Sequence, residues 1–406
     1  MAKETCLDSK EFNDFVTELR ERLRKRPGDF LVWLKIFDTE IKNLNSWILK
    51  IKKISLDKGE LIRLYTEFDK RMKILWRWGY LPFVVDEAVY KELELILDKK
   101  MQLNKGDVIE AVSFSGKFTL HQQYEMATLA LADMARKKGL NSCGKRIDKH
   151  LKKWGWINSW LYRQIPLERR EFEKNLLKLS GEKPENLLRK KKNEISKQTL
   201  KKKIILKKIN NKRLNMLSDI ISSYLVWHSI KIEQLTRAIY SFKPVFDTLA
   251  KDFNLSYEQL INLAPEEVIS EKINLNEVNS RMVESGMVIK SGKGRVITGK
   301  VLLNAKETIK ENIESSQKIS GVVVFKGLVT ARAAVCLSAN ELSKVKGKHV
   351  LITPMTTTDM TSRLKNVAAI VTDEGGLTCH AAIIAREFNI PCIVGTKYAS
   401  RIFKNG

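Results

Sequence analysis

The sequence predicts an α+β multidomain protein in which a large, mostly helical N-terminal region precedes a small mixed domain. Apolar residues recur at helical spacing over much of residues 1–285, as in 61–74 and 214–240. Beyond this region, short apolar and β-branched runs alternate with glycines, which is typical of strands and turns. We therefore divide the chain into a helical domain at 1–285, a β-hairpin and linker at 286–318, and a final domain at 319–406.

Few prolines interrupt the helical region, and we expect each to mark a helix boundary. They are Pro27, Pro82, Pro166, Pro184, Pro244 and Pro265. Ser256 is predicted to cap a helix that starts at Tyr257, because its hydroxyl can accept a hydrogen bond from the first turn. Pro265 is predicted to occupy the first position of the next helix.

An aromatic segment at residues 150–162 allows two interpretations. His150 with Trp154, Trp156 and Trp160 could line a pocket that stacks on a ring-shaped substrate. The favoured interpretation is an aromatic helix core, because large rings in a helical region are more often buried than bound to a ligand.

No metal site and no disulfide framework are predicted. His121, His228 and His349 have no partner at metal-ligand spacing, so we expect structural or exposed roles for them. The chain has five cysteines, an odd number, without any CxxC pair.

The C-terminal third is predicted to contain strands and short helices. Residues 287–299 predict a β-hairpin across a glycine turn, followed by a helix at about 304–316. Residues 368–372 predict a short buried strand, and Gly375 and Gly376 after it permit a tight turn.

One histidine lies where this turn meets an apolar helix predicted at 381–388. Thr378 is a candidate N-cap, which places His380 in the first helical turn. Backbone N–H groups and the positive end of the helix dipole favour an anion there. Neutral imidazole is a competent nucleophile near pH 7. The sequence therefore predicts a site that could hold a phosphoryl group on His380.

The run from residue 372 to 387, TDEGGLTCHAAIIARE, closely resembles the phosphohistidine signature of the PEP-utilising enzymes. That family includes PEP synthase and pyruvate phosphate dikinase. Residues 350–360 and 390–396 resemble two further blocks of the same family, in the same order. The resemblance implies that the last domain is a swivelling β/β/α phosphohistidine domain, with 286–318 as its pivot.

The resemblance also implies roles for individual residues. His380 would be transiently phosphorylated and would carry the phosphoryl group between active sites. Around it, we expect a phosphate-binding loop formed by Gly375, Gly376, Thr378 and Cys379. Arg386 is expected to be a nearby cation. In the dikinases the position of Thr378 is a regulatory phosphorylation site, although a simple N-cap is the favoured role here. Cys379 is expected to pack rather than to react.

Motifs of an ATP-grasp domain and of a PEP-binding barrel are not recognisable in the sequence. We therefore expect a separate ATP-grasp or PEP-binding subunit, with ATP or PEP as phosphoryl donor and Mg²⁺ on that partner. The sequence does not identify the phosphoryl acceptor. The family pattern also continues beyond the point where this chain stops, at Gly406. A truncated domain with an exposed sheet edge and a strand donated by a partner are the two alternatives.

Charge and hydropathy limit which other classes of function are possible. The formal net charge is +26, with the densest basic stretch at 189–208. That stretch is either a solvated helix face or linker, which we favour, or a polyanion-binding surface, and no nucleic-acid-binding motif accompanies it. No apolar run is long enough to span a membrane and no signal-peptide core occurs, so we expect a cytoplasmic protein.

Three functions follow, in order of preference. The first is a phosphotransferase component that works through His380. The second is a non-catalytic regulatory or binding protein with a degenerate mobile domain. The third is a nucleic-acid or other polyanion binder that uses the basic helical region.

Overall fold

A computed structural model describes the chain at residues 9–51, 57–79, 81–97, 105–159, 161–290, 293–309, 318–337, 339–342, 345, 347–356, 360–376 and 379–406. Within these ranges, no helix is long and apolar enough to cross a membrane. The chain folds into two compact units. One unit takes Phe37–Trp78 and Ala238–Ser316, and the other takes Ser9–Ile36, Gly79–Arg237 and Gln317–Gly406.

The N-terminal region is helical, as predicted. Its helices are α1 (Ser9–Lys25), α2 (Gly28–Lys50), α3 (Lys58–Gly79), α4 (Leu81–Leu97), α5 (Lys105–Ser113), α6 (Leu120–Lys138), a 3₁₀ turn (Leu140–Cys143), α7 (Gly144–Trp154), α8 (Arg169–Ser180), α9 (Pro184–Ile209), α10 (Lys212–Asp252), α11 (Tyr257–Leu260), α12 (Pro265–Ser270) and α13 (Leu275–Val283).

Most helix boundaries lie at the predicted capping residues and prolines. Ser256 caps α11 through a reciprocal pair of hydrogen bonds with Gln259, and Pro265 occupies the first turn of α12. The prediction for Pro244 is wrong, because this proline lies inside α10. Proline there removes one backbone hydrogen bond. Burial of the neighbouring Phe242 and Phe246 favours continuation of the helix in spite of that loss.

The core of the first unit is built from stacked aromatic rings. The Phe68 and Phe242 rings are stacked with centroids 4.1 Å apart, and Phe246 meets Phe68 edge-on at 5.5 Å. Trp47 stacks on the other side of Phe242 at 5.8 Å. Since Phe242 is fully buried at the centre of this cluster, it holds together segments that are distant in sequence.

The aromatic segment after α6 forms part of the core of the second unit. His150 is buried, stacks on Phe172 at 4.7 Å, and has its Nε2 3.2 Å from the hydroxyl of Thr128. Burial and the charge of Lys153 lower the pKa of His150 to about 4, so the ring is neutral at physiological pH. Trp154 is also buried beside it. The core interpretation is confirmed for this part of the segment, while Trp160 lies outside the described residues.

A buried carboxylate on α4 gathers three arginines from distant helices. Glu92 accepts hydrogen bonds from Arg24 at 2.7 Å, Arg213 at 2.6 Å and Arg20 at 3.1 Å. Burial by itself raises the pKa of Glu92. The hydrogen bonds from Arg24 and Arg20 and the charge of Arg213 outweigh burial and hold the pKa below its ordinary value of 4.5.

The predicted hairpin is present as strands β1 (Ser285–Lys290) and β2 (Lys293–Thr298), paired antiparallel. The helix after it differs from the prediction of 304–316. Helix α14 runs over Gly299–Ile309, and residues 310–316 lie outside the described part of the chain. It starts early because Gly299 adopts a left-handed conformation with a φ of 54°, which ends the strand and turns the chain directly into the helix.

The C-terminal domain is a mixed sheet with short helices. Its strands are β3 (Val322–Phe325), β4 (Ala333–Val335), β5 (Val350–Thr353), β6 (Ala369–Thr372) and β7 (Cys392–Val394), and its helices are α15 (Ala339–Leu342), α16 (Thr361–Leu364), α17 (His380–Phe388) and α18 (Ala399–Ile402). In the described chain, the strand order is β3-β7-β6-β5-β4, and only the β3–β7 pair is antiparallel. The predicted α+β class is confirmed.

Two hydrogen bonds with the last two residues of the chain cover part of the outer edge of β4. The backbone N–H of Val335 donates to the side chain of Asn405 at 2.7 Å, and the N–H of Gly406 donates to the carbonyl of Ala333 at 3.0 Å. These two bonds satisfy backbone groups that an edge strand would otherwise expose.

Phe242→Ala should destabilise the protein by about 3–5 kcal/mol, because it removes a fully buried ring from between two stacked neighbours. Urea unfolding followed by circular dichroism measures this. Val283→Ala, at a residue that is 82% exposed in the same unit, is the control and should change stability little. An equal effect of both substitutions would contradict the assigned core.

Glu92→Gln should cost about 2–3 kcal/mol, less than for a fully buried pair because the arginines are partly exposed. Since the pKa of Glu92 is lower in the folded state, its carboxylate stabilises the fold above pH about 4.5, and this contribution is lost as the pH falls through the folded-state pKa. The variant should therefore lose less stability than the wild type in that acidic range. Urea unfolding at several pH values tests this, and Glu94→Gln on the same helix is the control. If the free energy of unfolding of Glu92→Gln and of the wild type changed in parallel with pH, the prediction would be refuted.

Candidate active site

The candidate site lies at one edge of the C-terminal sheet. Strands β5, β6 and β7 are parallel, so their carboxyl ends meet at the same edge. Open α/β sheets place ligands at this edge. Helix α17 connects β6 to β7 and begins there with His380 as its first residue. The sheet topology therefore puts the candidate nucleophile at the position where such sheets bind substrates.

The turn between β6 and α17 depends on two glycines. Gly375 has a φ of 110°, and a side chain on it would meet the sulfur of Cys379 at 2.7 Å. Gly395, with a φ of 70°, packs so closely that a side chain would lie 2.9 Å from the carbonyl oxygen of Gly375. Both positions thus need glycine for conformation and for space. Gly376 follows in the same turn with open space beside it.

The predicted N-cap is displaced by one residue. Cys379 takes the N-cap position of α17, and its side chain makes no capping hydrogen bond. The helix starts late because the N–H of Cys379 bonds back to the carbonyl of Gly376 at 3.2 Å, which keeps the turn closed up to this residue. Thr378 itself lies outside the described residues. Cys379 is partly exposed and packs against Gly375.

Backbone hydrogen bonds anchor the start of the turn to neighbouring strands. The N–H of Glu374 donates to the carbonyl of Pro354 at 2.9 Å, and the N–H of Asp373 donates to that of Thr353 at 3.1 Å. The carboxylate of Asp373 accepts hydrogen bonds from the backbone and hydroxyl of Ser400 at the start of α18. The segment that leads to His380 is therefore held in place on both sides.

A threonine from the loop after β5 contacts the candidate histidine. The hydroxyl oxygen of Thr356 lies 2.8 Å from Nδ1 of His380. A hydrogen bond at Nδ1 orients the ring and determines which tautomer is present. If Nδ1–H donates to Thr356, then Nε2 keeps its lone pair and can act as a nucleophile.

The helical region contributes charged and titratable groups near His380. Burial, and then the nearby Lys231 and His380, lower the pKa of His228 on α10 well below its ordinary value. His228 is therefore neutral at physiological pH. Lys231 is buried, and its ammonium donates to the carbonyl of Gly79 and lies 5.6 Å from the ring centre of Trp227.

Polar contacts join the C-terminal domain to α6 and α9 within the same unit. The amide of Asn389 donates to the carboxylate of Glu194 at 3.1 Å, and Lys365 lies 3.8 Å from Glu125. Burial, and then the charge of Glu125, raise the pKa of Glu387 on α17, although Lys191 and other cations act in the opposite direction. Helix α17 thus lies against the helical region along its second half.

Arg386 lies near the end of α17, about 9 Å along the helix axis from His380. It lines a cavity between α17 and the helical region. The structure therefore brings Gly375, Gly376, Cys379 and His380 together at the start of the helix, and places Arg386 farther along it.

The basic stretch at 189–208 forms most of α9, and some of its lysines have structural partners. Lys191 pairs with Glu125 at 2.9 Å. Lys202 donates to the carbonyl of Phe114 at 2.9 Å, and burial lowers its pKa. The predicted helix face is confirmed, although part of its charge is directed toward the protein.

The remaining histidines and cysteines have ordinary environments. His121 lies 2.8 Å from the carboxylate of Glu233, which also accepts the first backbone N–H groups of α6. The described cysteines, Cys143, Cys336, Cys379 and Cys392, are free thiols. Within the described ranges, no group of three or more His, Cys, Asp or Glu side chains could hold a metal ion.

Sequence reasoning missed two residues of this site. Thr356 lies just after strand β5, within a segment that resembles the family, and the only signal in the sequence was a hydroxyl beside a strand end. His228 carried no signal, because it lies 152 residues before His380 and only folding brings it near.

Comparison with known proteins gives a match to one family model. Residues 345–406 match the mobile domain of the PEP-utilising enzymes. This range contains β5, β6, β7 and α17, and therefore the whole turn that presents His380.

Curated relatives match part of the chain. The probable phosphoenolpyruvate synthase of Archaeoglobus fulgidus is 44% identical over 102 residues, which are 25% of this chain and 14% of the relative. The probable phosphoenolpyruvate synthase of Pyrococcus abyssi is 36% identical over 156 residues, 37% of this chain and 19% of the relative. The phosphoenolpyruvate synthase of Pyrococcus furiosus is 46% identical over 97 residues, 24% and 12% respectively.

The chain thus matches less than a fifth of the length of each of these relatives. The match to the family model covers residues 345–406. Residues 345–406 are a mobile domain of the PEP-utilising enzyme family.

Proposed function

We propose that His380 is transiently phosphorylated and that its domain carries the phosphoryl group from a donor site to an acceptor site. One observation carries this proposal. His380 is the first residue of a helix at the carboxyl edge of the sheet, with Nδ1 2.8 Å from Thr356, in a segment that matches the mobile domain of phosphotransferases.

The chemistry requires one free ring nitrogen. With Nδ1–H donating to Thr356, Nε2 attacks the donor phosphorus in line. An N–P bond forms while the bond from phosphorus to the leaving oxygen breaks. The electron pair of that bond goes to the leaving group, which is ADP for ATP or the enolate of pyruvate for PEP. Beyond orienting the ring, the protein takes little part in the covalent chemistry.

The start of α17 suits the charge of the phosphorylated ring. The N-cap side chain of Cys379 makes no hydrogen bond to the first turn, and the space beside Gly376 is open. Backbone N–H groups of the first turn and the helix dipole would therefore face the phosphate. We propose the loop at Gly375, Gly376, Thr378 and Cys379 as the phosphate-binding element.

The donor and the partner are part of the same proposal. A separate ATP-grasp or PEP-binding subunit would supply ATP or PEP, together with the Mg²⁺ that such donors require.

His380→Asn should abolish phosphorylation, because the amide nitrogen of asparagine is not nucleophilic. Intact mass at alkaline pH, after incubation with PEP or ATP in native cell lysate, should show one phosphoryl adduct on the wild type and none on the variant. His349→Asn, in the same domain, is the matched control and should keep the adduct. An adduct on His380→Asn would refute the proposal. No adduct on the wild type with either donor would favour a degenerate mobile domain.

Thr356→Val should slow phosphorylation about tenfold, because it keeps the shape of the side chain and removes the hydrogen bond to Nδ1. The initial rate of adduct formation measures this. Thr356→Ser restores a hydroxyl at the same position and should recover most of the rate. Equal rates for the valine and serine variants would show that the contact does not orient the ring.

A further inference from the structure

A cavity of about 160 Å³ lies between helix α17 and the helical region of the same unit. Its walls come from α17, α6, α9, α10 and the segment between α5 and α6. The lining combines polar and charged residues with a set of apolar and aromatic side chains, which are Phe114, Phe118, Met126, Leu225, Val226 and Ile383. A cavity of similar volume with apolar walls binds benzene in an engineered protein. The size and lining therefore suit a compound with one ring.

A buried hydroxyl in the cavity wall calls for a polar partner. Ser113, the last residue of α5, is 1% exposed and lines the cavity. Among the residues that the structure describes, its Oγ has no hydrogen-bond partner. A buried hydroxyl without a partner costs free energy, and a polar group on a ligand would remove that cost. Ser113 therefore distinguishes this cavity from a simple packing defect.

The charged groups of the lining pair largely with each other. Glu125 pairs with Lys191 at 2.9 Å, and Glu194 accepts from the amide of Asn389 at 3.1 Å. Burial raises the pKa of Glu387, which reduces its tendency to carry a negative charge. Lys117 and Arg386 also line the cavity, so three cations face three acidic residues, and the lining does not by itself select the charge of a ligand.

The cavity also lies on the same face of α17 as the candidate nucleophile. Ile383 lines the cavity and follows His380 by three residues, about one helical turn or 4.5 Å along the axis. A ligand held beside Ile383 is therefore close to the helix end that presents His380.

We propose that this cavity binds a small compound with one ring and a hydroxyl group, and that this compound is the phosphoryl acceptor. The binding claim stands on Ser113 and the cavity alone, whereas the acceptor claim rests on the proposed phosphorylation of His380. In the transfer step, an O–P bond forms to the acceptor hydroxyl while the N–P bond at His380 breaks. The hydroxyl proton ends on the ring nitrogen that the phosphoryl group leaves.

Two fluorinated probes test binding on the full chain by ¹⁹F NMR titration. They are 4-fluorobenzyl alcohol, which carries the hydroxyl, and 4-fluorotoluene, which lacks it. The wild type should bind the alcohol more tightly. Ser113→Ala should weaken the alcohol about two- to tenfold, the range of one hydrogen bond, and leave the affinity for the toluene unchanged. Ser222→Ala, at a buried serine outside the cavity lining, is the matched control and should alter neither affinity.

A second variant tests the cavity itself. Met126→Trp fills it from α6, and Gln198→Trp fills it from α9, at partly exposed residues that tolerate a larger side chain. Each should weaken both probes at least tenfold, while Met216→Trp, at a residue that is 39% exposed on α10, should not. Circular dichroism checks that each variant is folded. Absence of probe binding to the wild type, or unchanged binding to both cavity-filling variants, would overturn the binding claim.

A competition experiment tests the acceptor claim separately. The phosphorylated chain is mixed with a small-molecule cell extract, and loss of the adduct is followed by intact mass. Saturating 4-fluorotoluene, which occupies the cavity but has no hydroxyl to accept the phosphoryl group, should slow this loss at least fivefold, and Met126→Trp should need more of it for the same effect. A loss rate that the probe does not change would overturn the acceptor claim, even where binding is established. A chain that is never phosphorylated would refute the proposed function and leave the titrations to decide the cavity.

Discussion

The geometry of the site depends on the close packing of two glycines at the edge of the C-terminal sheet. Gly375 turns the chain out of β6 in a conformation that other residues rarely adopt, and Gly395 leaves room for its carbonyl oxygen. Because of this turn, α17 begins at His380 rather than one turn later. Its free N-terminal end then points to the edge where the loop after β5 supplies Thr356. The contact between ring and hydroxyl therefore follows from backbone conformation at positions several residues away.

The helical region forms one wall of the cavity. It also places a neutral histidine and paired charged groups near the site. His228 is neutral because burial and the nearby Lys231 disfavour its protonation, and the ammonium of Lys231 donates to a backbone carbonyl. Glu125 shares its charge between Lys191 and Lys365.

The high net charge of the chain has partly a structural explanation. Three arginines meet one buried carboxylate at Glu92, and lysines of the basic helix α9 bond to Glu125 and to the carbonyl of Phe114. These cations connect helices that are far apart in sequence. The basic composition therefore supports the fold of the helical region as well as leaving charge on its surface.

Local sequence was sufficient for the helical region, the hairpin, the strand before the glycines and the position of His380 in the first turn of α17. These features depend on periodicity, turn residues and motif spacing over a few residues, which a single sequence displays. It was insufficient for the exact helix start at His380, for Pro244 inside α10 and for the start of α14 at Gly299, because packing and backbone conformation override local preference there.

Contacts between distant segments were decided by the tertiary structure alone. His228 is near His380 across 152 residues, and Ser113 and Ile383 line one cavity across 270 residues. No local pattern encodes such pairs, because they arise only when α5, α10 and α17 pack within one unit. The chemistry of the nucleophile was therefore visible in the sequence, and the surroundings that select its partner were not.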